Sequence, residues 1–286
     1  MSTATQVPTI IIRDIERISE MREVETLQKV VWGCEDLDVV PVTMFIASRQ
    51  VGGVLVGAYD GSTLAGFVYG FPAYENNQLV HHSHMLAVLP AYRNFNLGYK
   101  LKLAQRERVL AQSIKRISWT FDPLQSLNAY FNFGKLGVVA DSYKINFYGE
   151  TTSSFLHQIG TDRLWVTWLI DSQRVCERLQ SNDASGQSRT EVERIPSLVR
   201  VSNGEPLGYE SEGFGAEQIA IEIPGDINAL QTKQSDLALR WREATRWAFT
   251  MALASGYLVE GFYRFIRNEE SVGIYLLSHR RKIEEF

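Results

Sequence analysis

Three of the chain's five histidines, His81, His82 and His84, fall inside one apolar run, "LVHHSHMLAVL", from Leu79 to Leu89. If that run is a strand, His82 and His84 project from one face and His81 from the other. An imidazole with an ordinary pKa of about 6.5 accepts a proton near neutral pH, so a pair on one face is suited to acid–base work. A His-x-His strand also suits zinc, but zinc needs a third ligand. Only His157, His279 or a distant carboxylate remain, at no supporting spacing, and no metal is expected.

The run breaks at Pro90 into Arg93, Asn94, Phe95, Asn96, Leu97 and Gly98, a short basic turn before a helical pattern. Free backbone amides at such a turn, reinforced by the helix dipole, form a nest for anions. Gly98 permits close backbone approach, and Asn96 is among the few non-glycine residues that tolerate a positive φ. Arg93 adds a charge-assisted hydrogen bond to the same anion. The same residues also suit an ordinary turn that starts a helix. Other phosphate loops are absent: there is no Gly-x4-Gly-Lys-Ser/Thr, and "GFGAEQ" lacks the third glycine of a dinucleotide fingerprint.

The elements that must hold these residues read as mixed α/β. "TIIIRDI" predicts a first strand, and apolar residues at three-to-four spacing from Glu16 to Val31 predict a helix. "VGGVLVGAYD" and "LAGFVYGFP", joined through "DGS", predict a hairpin. The histidine strand follows, then a helix from about Gly98 to Ser113, the strand "RISWTFDP", a short helix in "SLNAYFNFGKLG" stopped near Gly137, and the strand "LWVTWLID". The polar stretch 173–193 is expected to be a linker. Beyond it stand the strand "QIAIEIP", one long helix from Asp226 to a stop at Gly256, and the strands "YLVEGFYRFI" and "SVGIYLLS". The expected domains are 9–172, the linker 173–193 and a C-terminal α/β part 194–286 that packs on the first.

"LAVLPAYRNFNLGYKL" resembles the central motif of the GNAT superfamily of acyl-CoA-dependent N-acyltransferases, V-x-P-x-Y-R-G-x-G-x-G or the shorter Arg/Gln-x-x-Gly-x-Gly/Ala. Val88, Pro90, Tyr92, Arg93 and Gly98 match in register, while Asn96 replaces the first glycine of the shorter form. "NAYFNFGKLGV" is similar to a second motif, A-x-x-x-Y-x-K-x-G-F, through Ala129, Lys135 and Gly137. Its tyrosine falls on Phe133 and its terminal Phe on Val138. The resemblance covers residues 9–172 and implies a mixed, mostly antiparallel sheet flanked by helices. "VVWG", "FDPLQSLNAYFNFGKLG", "NFYG", "GTDR" and "WREATR" together resemble a full-length GNAT subgroup that includes N-acyltransferases acting on amino acids, some with succinyl-CoA.

The resemblance implies acetyl-CoA or another acyl-CoA as donor, a small-molecule amine as acceptor, and direct attack in a ternary complex. It implies cofactor contacts at Leu86, Ala87, Val88, Arg93, Asn94, Phe95, Asn96, Leu97, Gly98, Tyr99, Asn128 and Phe131. "HSHMLAV" is similar to the His-x-His-x-Leu-Ala-Val strand of arylalkylamine N-acetyltransferases, with His82 and His84 on the matching positions. An alkylammonium must lose a proton before its nitrogen attacks a thioester. His84 is the candidate base and His82 a relay or second base. Amides near Leu86 to Val88 would stabilise the oxyanion, an effect of about 3–4 kcal/mol per donor at comparable sites. A phenyl ring at Phe133 cannot donate a proton to the leaving thiolate, so Tyr130, three residues earlier on the helix, is the candidate substitute. A half-buried structural tyrosine fits that position too. A non-catalytic acyl-CoA-binding or sensing module is the alternative function.

For the acceptor, Trp32, Asp36 and Asp38 in "VVWGCEDLDVVPVTM" are candidates, against a capped loop with Trp32 in the core. Arg163 in "GTDR" is a candidate clamp for a carboxylate, or else the partner of Asp162 in a structural ion pair. In the C-terminal helix, Leu230, Leu237, Trp241, Ala244, Ala248 and Met251 form an apolar stripe, with Arg242, Glu243 and Arg246 assigned to a solvated face.

Composition sets the outer limits. The 286 residues are 45% hydrophobic, enough for a sizeable core. With 29 basic against 33 acidic residues interspersed, no field for a polyanion exists, and nucleic acid is not expected as a partner. Two distant cysteines, Cys34 and Cys176, make no disulfide framework and point to a reducing compartment. No run approaches the roughly 20 apolar residues of a membrane span. The expectation is a cytoplasmic protein without a membrane contact, its self-association left open.

Overall fold

The computed structural model describes residues 8–149, 159–180, 189–208 and 214–286. His157, one of the residual zinc candidates, lies outside the described residues. The chain divides into two compact units, with the boundary after Ile117.

In the first unit β1 (Ile10–Asp14) leads to α1 (Ile18–Trp32) and α2 (Val42–Gln50), then to β2 (Val54–Asp60), β3 (Thr63–Glu75), β4 (Gln78–Val88) and α3 (Leu97–Ala111). The strands pair antiparallel in the order β1-β2-β3-β4. The expected hairpin closes between Asp60 and Thr63, where Gly61 takes a φ of 57°. One sheet face buries Leu55, Tyr59, Phe67 and Tyr69 against Met21, Val24 and Leu27 of α1 and Phe45 of α2. α3 packs on β2, β3 and β4. Burial of this apolar area, at about 25 cal/mol per Å², is the main force that fixes β4 between its neighbours.

β5 (Arg116–Phe121), whose first two residues precede the boundary, is followed in the second unit by α4 (Ser126–Ala129), a π-helical segment Tyr130–Leu136, β6 (Val139–Lys144) and β7 (Arg163–Leu169). Then come α5 (Gln173–Gln180), α6 (Arg189–Glu193), β8 (Ser197–Ser202), β9 (Glu205–Gly208), β10 (Gln218–Pro224), α7 (Ile227–Lys233), α8 (Ser235–Ala254), β11 (Tyr257–Arg267) and β12 (Glu270–His279). Its strands lie in the order β5-β7-β6-β11-β12-β10-β8-β9. β8 and β10 pair parallel, whereas β10–β12, β11–β12, β6–β11, β6–β7 and β8–β9 pair antiparallel, so the sheet is mostly antiparallel.

The structure differs from the sequence reading in four places. The stretch 173–193 carries the helices α5 and α6, with Val175 and Val192 buried, so its described residues are not a bare linker. The division after Ile117 also differs from the expected boundaries at 172 and 194. The single long helix is two, because Gln234 leaves helical geometry at φ −149° and ψ 71°. Arg242 is not solvated: it is 2% exposed and pairs with Asp122 at 2.6 Å.

Candidate active site

The pairing of β3 with β4 slips by one residue at the histidines. Tyr69 stands opposite Met85 and Gly70 opposite Ser83, which leaves His84 as the extra residue of a β-bulge. A bulge bends its strand and re-aims the side chains beside it. His82, opposite Phe71, and His84 both turn to the Tyr69–Phe71 face. Ring centroids lie 5.7 Å apart for Phe71–His82, 5.9 Å for Phe71–His84, 6.1 Å for Tyr69–His84 and 6.2 Å for His82–His84. Phe45 of α2 backs Tyr69 edge-on at 4.9 Å. His82 is half-buried and His84 exposed.

These surroundings keep the imidazoles neutral. Desolvation, then the neighbouring His84 and Lys102, push His82 down to about 4. Desolvation alone lowers His84. A base at about 4 holds an ammonium proton poorly, so His84 is the better proton acceptor of the two. His81 points the other way, fully buried towards α3. Its Nε2 lies 3.3 Å from Gln105 Nε2. An amide nitrogen only donates, so the His81 Nε2 accepts and the ring proton sits on Nδ1.

Beyond Val88 the chain forms a 3-10 turn, Pro90–Phe95, and Asn96 then takes the left-handed conformation (φ 56°, ψ 27°) before α3 starts at Leu97. Leu97 is fully buried and anchors the helix. The N-cap Asn96 makes no side-chain capping hydrogen bond to the first turn. A Cβ built on Gly98 would meet only Leu86 Cδ2, at 3.8 Å, so the space above this backbone is open. Arg93 and Asn94 are exposed, Tyr99 is half-buried, and Tyr92 Oη donates to Asp60 Oδ2 at 3.0 Å while its ring packs near the half-buried Phe95. The amides of a helix start, an open glycine and a nearby guanidinium fit a phosphate group. Leu86, Ala87 and Val88 connect this turn to the bulge and pair with Val68, Phe67 and Gly66.

The acceptor candidates of this unit sit at the end of α1. Gly33, left-handed at φ 65°, ends the helix, and Trp32 packs edge-on to Phe67 at 6.2 Å, partly covering the core. Asp36 and Asp38 lie in an exposed 3-10 turn, with Asp36 paired to Lys29 at 2.5 Å.

The second unit holds the remaining candidates. Asn128 is exposed, and Tyr130 and Phe131 are half-buried. Phe133 is 1% exposed and packs against Phe121 and Tyr275. The π-helical winding shifts the phase of this segment, so Tyr130 does not share the environment of Phe133. Its ring lies against the Cα of Gly134, where a Cβ would come within 2.8 Å of it. Arg163 is buried at the start of β7, donates to the Asp162 carbonyl at 3.0 Å and lies over the Tyr148 ring. The carboxylate of Asp162 pairs instead with Arg246 at 2.8 Å and accepts from Tyr143 Oη at 2.7 Å and Asn146 N at 3.0 Å.

Sequence reasoning passed over Ser83, Lys102 and Gln105, which surround His81. Lys102 and Gln105 interrupt the buried stripe Leu97, Leu101, Ala104, Val109 of α3, and that interruption was the available signal. Among the described residues no group of three or more His, Cys, Asp or Glu side chains stands ready for a metal ion, and no helix is long and apolar enough to cross a membrane.

No curated protein sequence matches the chain. Solved structures with a similar course include an aminoglycoside 6'-acetyltransferase type Ii (19% identity, 57% of this chain and 99% of that chain, TM-score 0.46). The ribosomal-protein-S18-alanine N-acetyltransferase from Escherichia coli is 13% identical over 57% of this chain and 96% of its own, with a TM-score of 0.45. A GNAT family acetyltransferase from Elizabethkingia anophelis with acetyl-CoA bound is 15% identical over 56% and 97%, with a TM-score of 0.41. Residues 18–135, from the first residue of α1 to the π-helical segment, match the Acetyltransferase (GNAT) family, and the chain carries a GNAT acetyltransferase domain there.

Proposed function

We propose that this protein transfers an acyl group, acetyl or succinyl, from acyl-CoA to the amine of a small molecule, an amino acid being the first class to test. The observation that carries this reading is the bulge at His84, which sets a neutral, exposed imidazole on the strand that runs directly into the open turn at 93–98. In this reading Arg93 and the amides of Asn96 to Gly98 hold the pyrophosphate. His84 removes the ammonium proton of the acceptor, directly or through one water, with His82 beside it as relay. Amides of Leu86 to Val88 stabilise the oxyanion as the amine nitrogen bonds to the thioester carbon, and the C–S bond then breaks. The thiolate leaves with the C–S bonding electrons and takes a proton from solvent. Trp32, Asp36 and Asp38 are proposed acceptor contacts.

The buried Phe133 favours a second reading, an acyl-CoA-binding module without turnover, because no hydroxyl stands at that position. Thiol release measured with acetyl-CoA and succinyl-CoA against a panel of amines and of amino acids of both configurations separates the two. Turnover with any pair supports the transferase. Tight CoA binding by calorimetry with no thiol release from any pair leaves the binding module.

A further inference from the structure

α3 carries the open turn at its start and, one turn further on, a buried polar network that reaches the bulge. Lys102 is 2% exposed, and its Nζ donates to Ser83 Oγ at 2.9 Å and to Gln105 Oε1 at 3.0 Å. Ser83 Oγ in turn donates to Gln105 Oε1 at 2.9 Å, and Gln105 Nε2 donates to His81 Nε2 at 3.3 Å. Ser83 directly precedes the bulged His84, and His81 directly precedes His82. The network is closed off by Gly70 of β3. A Cβ there would stand 2.4 Å from His81 Nε2, 2.6 Å from the His82 carbonyl oxygen and 2.9 Å from Gln105 Nε2. Backbone, ring and amide thus meet with no room for a methyl group.

Such a network is a poor way to hold a helix on a sheet. Burial pushes the Lys102 amine well below its ordinary pKa, so its protonated form is costly, and an apolar side chain would fill the space more cheaply. Groups that cost stability and sit beside a reactive strand are the pattern expected where position matters more than stability. The interaction is also directional. An apolar contact tolerates sliding of α3 along β4, whereas hydrogen bonds to Ser83 and His81 fix the helix at one register.

We infer that Lys102, Gln105 and Ser83 are positioning residues that clamp the start of α3 to the His82–His84 strand and so fix the distance between an anion held at 93–98 and the imidazoles. This rests on the acyltransferase reading of the same strand. The clamp acts through His81 and Ser83, on the α3 side of β4, and touches none of the reacting groups.

The test uses the full chain as wild type, Lys102→Met, Ser83→Ala and Ser83→Thr, with thermal midpoint, CoA affinity by calorimetry, and kcat and KM for both substrates. Lys102→Met is expected to melt no lower than the wild type and to bind CoA within about threefold, while kcat falls about tenfold or more. Ser83→Ala is expected to lose kcat likewise, and Ser83→Thr, which keeps a hydroxyl, to recover most of it. Folded, CoA-binding variants whose kcat stays within about twofold of the wild type overturn the clamp. Unfolding of both Lys102→Met and Ser83→Ala overturns it as well, because the network would then be support for the fold. A wild type that binds CoA and releases no thiol removes the acyltransferase reading itself, a result visible before any variant is compared.

Discussion

At His84 the useful state is the unprotonated ring, and its surroundings favour that state. Tyr69, Phe71 and His82 take the place of water on one side of the exposed imidazole, and desolvation lowers its pKa below the ordinary 6.5. The sign follows directly. Protonation switches the base off, so kcat rises with pH through a pKa below 6.5 and levels out above it. A kcat–pH profile at saturating acyl-CoA and amine is expected to show its acid limb below pH 6.5, and an acid limb above 7 would exclude His84 as the base. The shared face of His82 and His84 was legible from strand alternation. The bulge was not, because nothing in "HSHML" departs from an ordinary strand pattern and the slip is fixed by Gly70 and the packing around it. Asn96 could be read as a left-handed residue from its type, and it is one. Arg242 was misread because a helical wheel places an arginine beside a stripe but does not reveal a buried Asp122 opposite it.

For α3 the decisive residue is Gly98. Its backbone is helical and uncrowded, so Gly98→Ala should stabilise the fold by about 0.5–1 kcal/mol, the usual gain at a helical position. The added methyl group stands over the amides proposed to meet the pyrophosphate, and CoA affinity is expected to fall about tenfold or more, the cost of losing close contacts worth roughly 1.4 kcal/mol. Urea unfolding and CoA titration on the same variant read both effects. A rise in stability with unchanged affinity would place the phosphate elsewhere. Most elements followed from periodicity and turn residues. β6 did not: Val139 and Ala140 are buried but Asp141 to Lys144 are polar or exposed, and six residues of that composition give no strand signal. α5 was hidden for the opposite reason, since its polar composition masks a helix whose one buried residue is Val175. Gln234 ends α7 without a glycine or proline to announce it.

Across the molecule, the family match at 18–135 extends past the boundary after Ile117 into the second unit. That unit joins β5 to the C-terminal elements through buried charge. Arg242 of α8 donates from Nη2 to Asp122 Oδ2 at 2.6 Å and from Nε to the Ile159 carbonyl at 3.1 Å. Burial opposes the guanidinium charge, but Asp122, together with Tyr143 and Asp162, outweighs it and raises the pKa. Removing one partner leaves the other charged and buried, so Arg242→Ala is expected to cost about 3–5 kcal/mol in denaturant unfolding. A loss below about 1 kcal/mol would mean that the pair is open to water. The chain beyond residue 172 was legible as strands and helices but not as part of the same compact unit as β5, because that depends on Asp122 meeting a residue 120 positions away. The most direct test of the whole account is thiol release from acyl-CoA by the wild type and His84→Ala at pH 7, with the amine found in the panel. The account predicts a fall in kcat of about 100-fold or more with CoA affinity retained. Equal rates for the two proteins would contradict it.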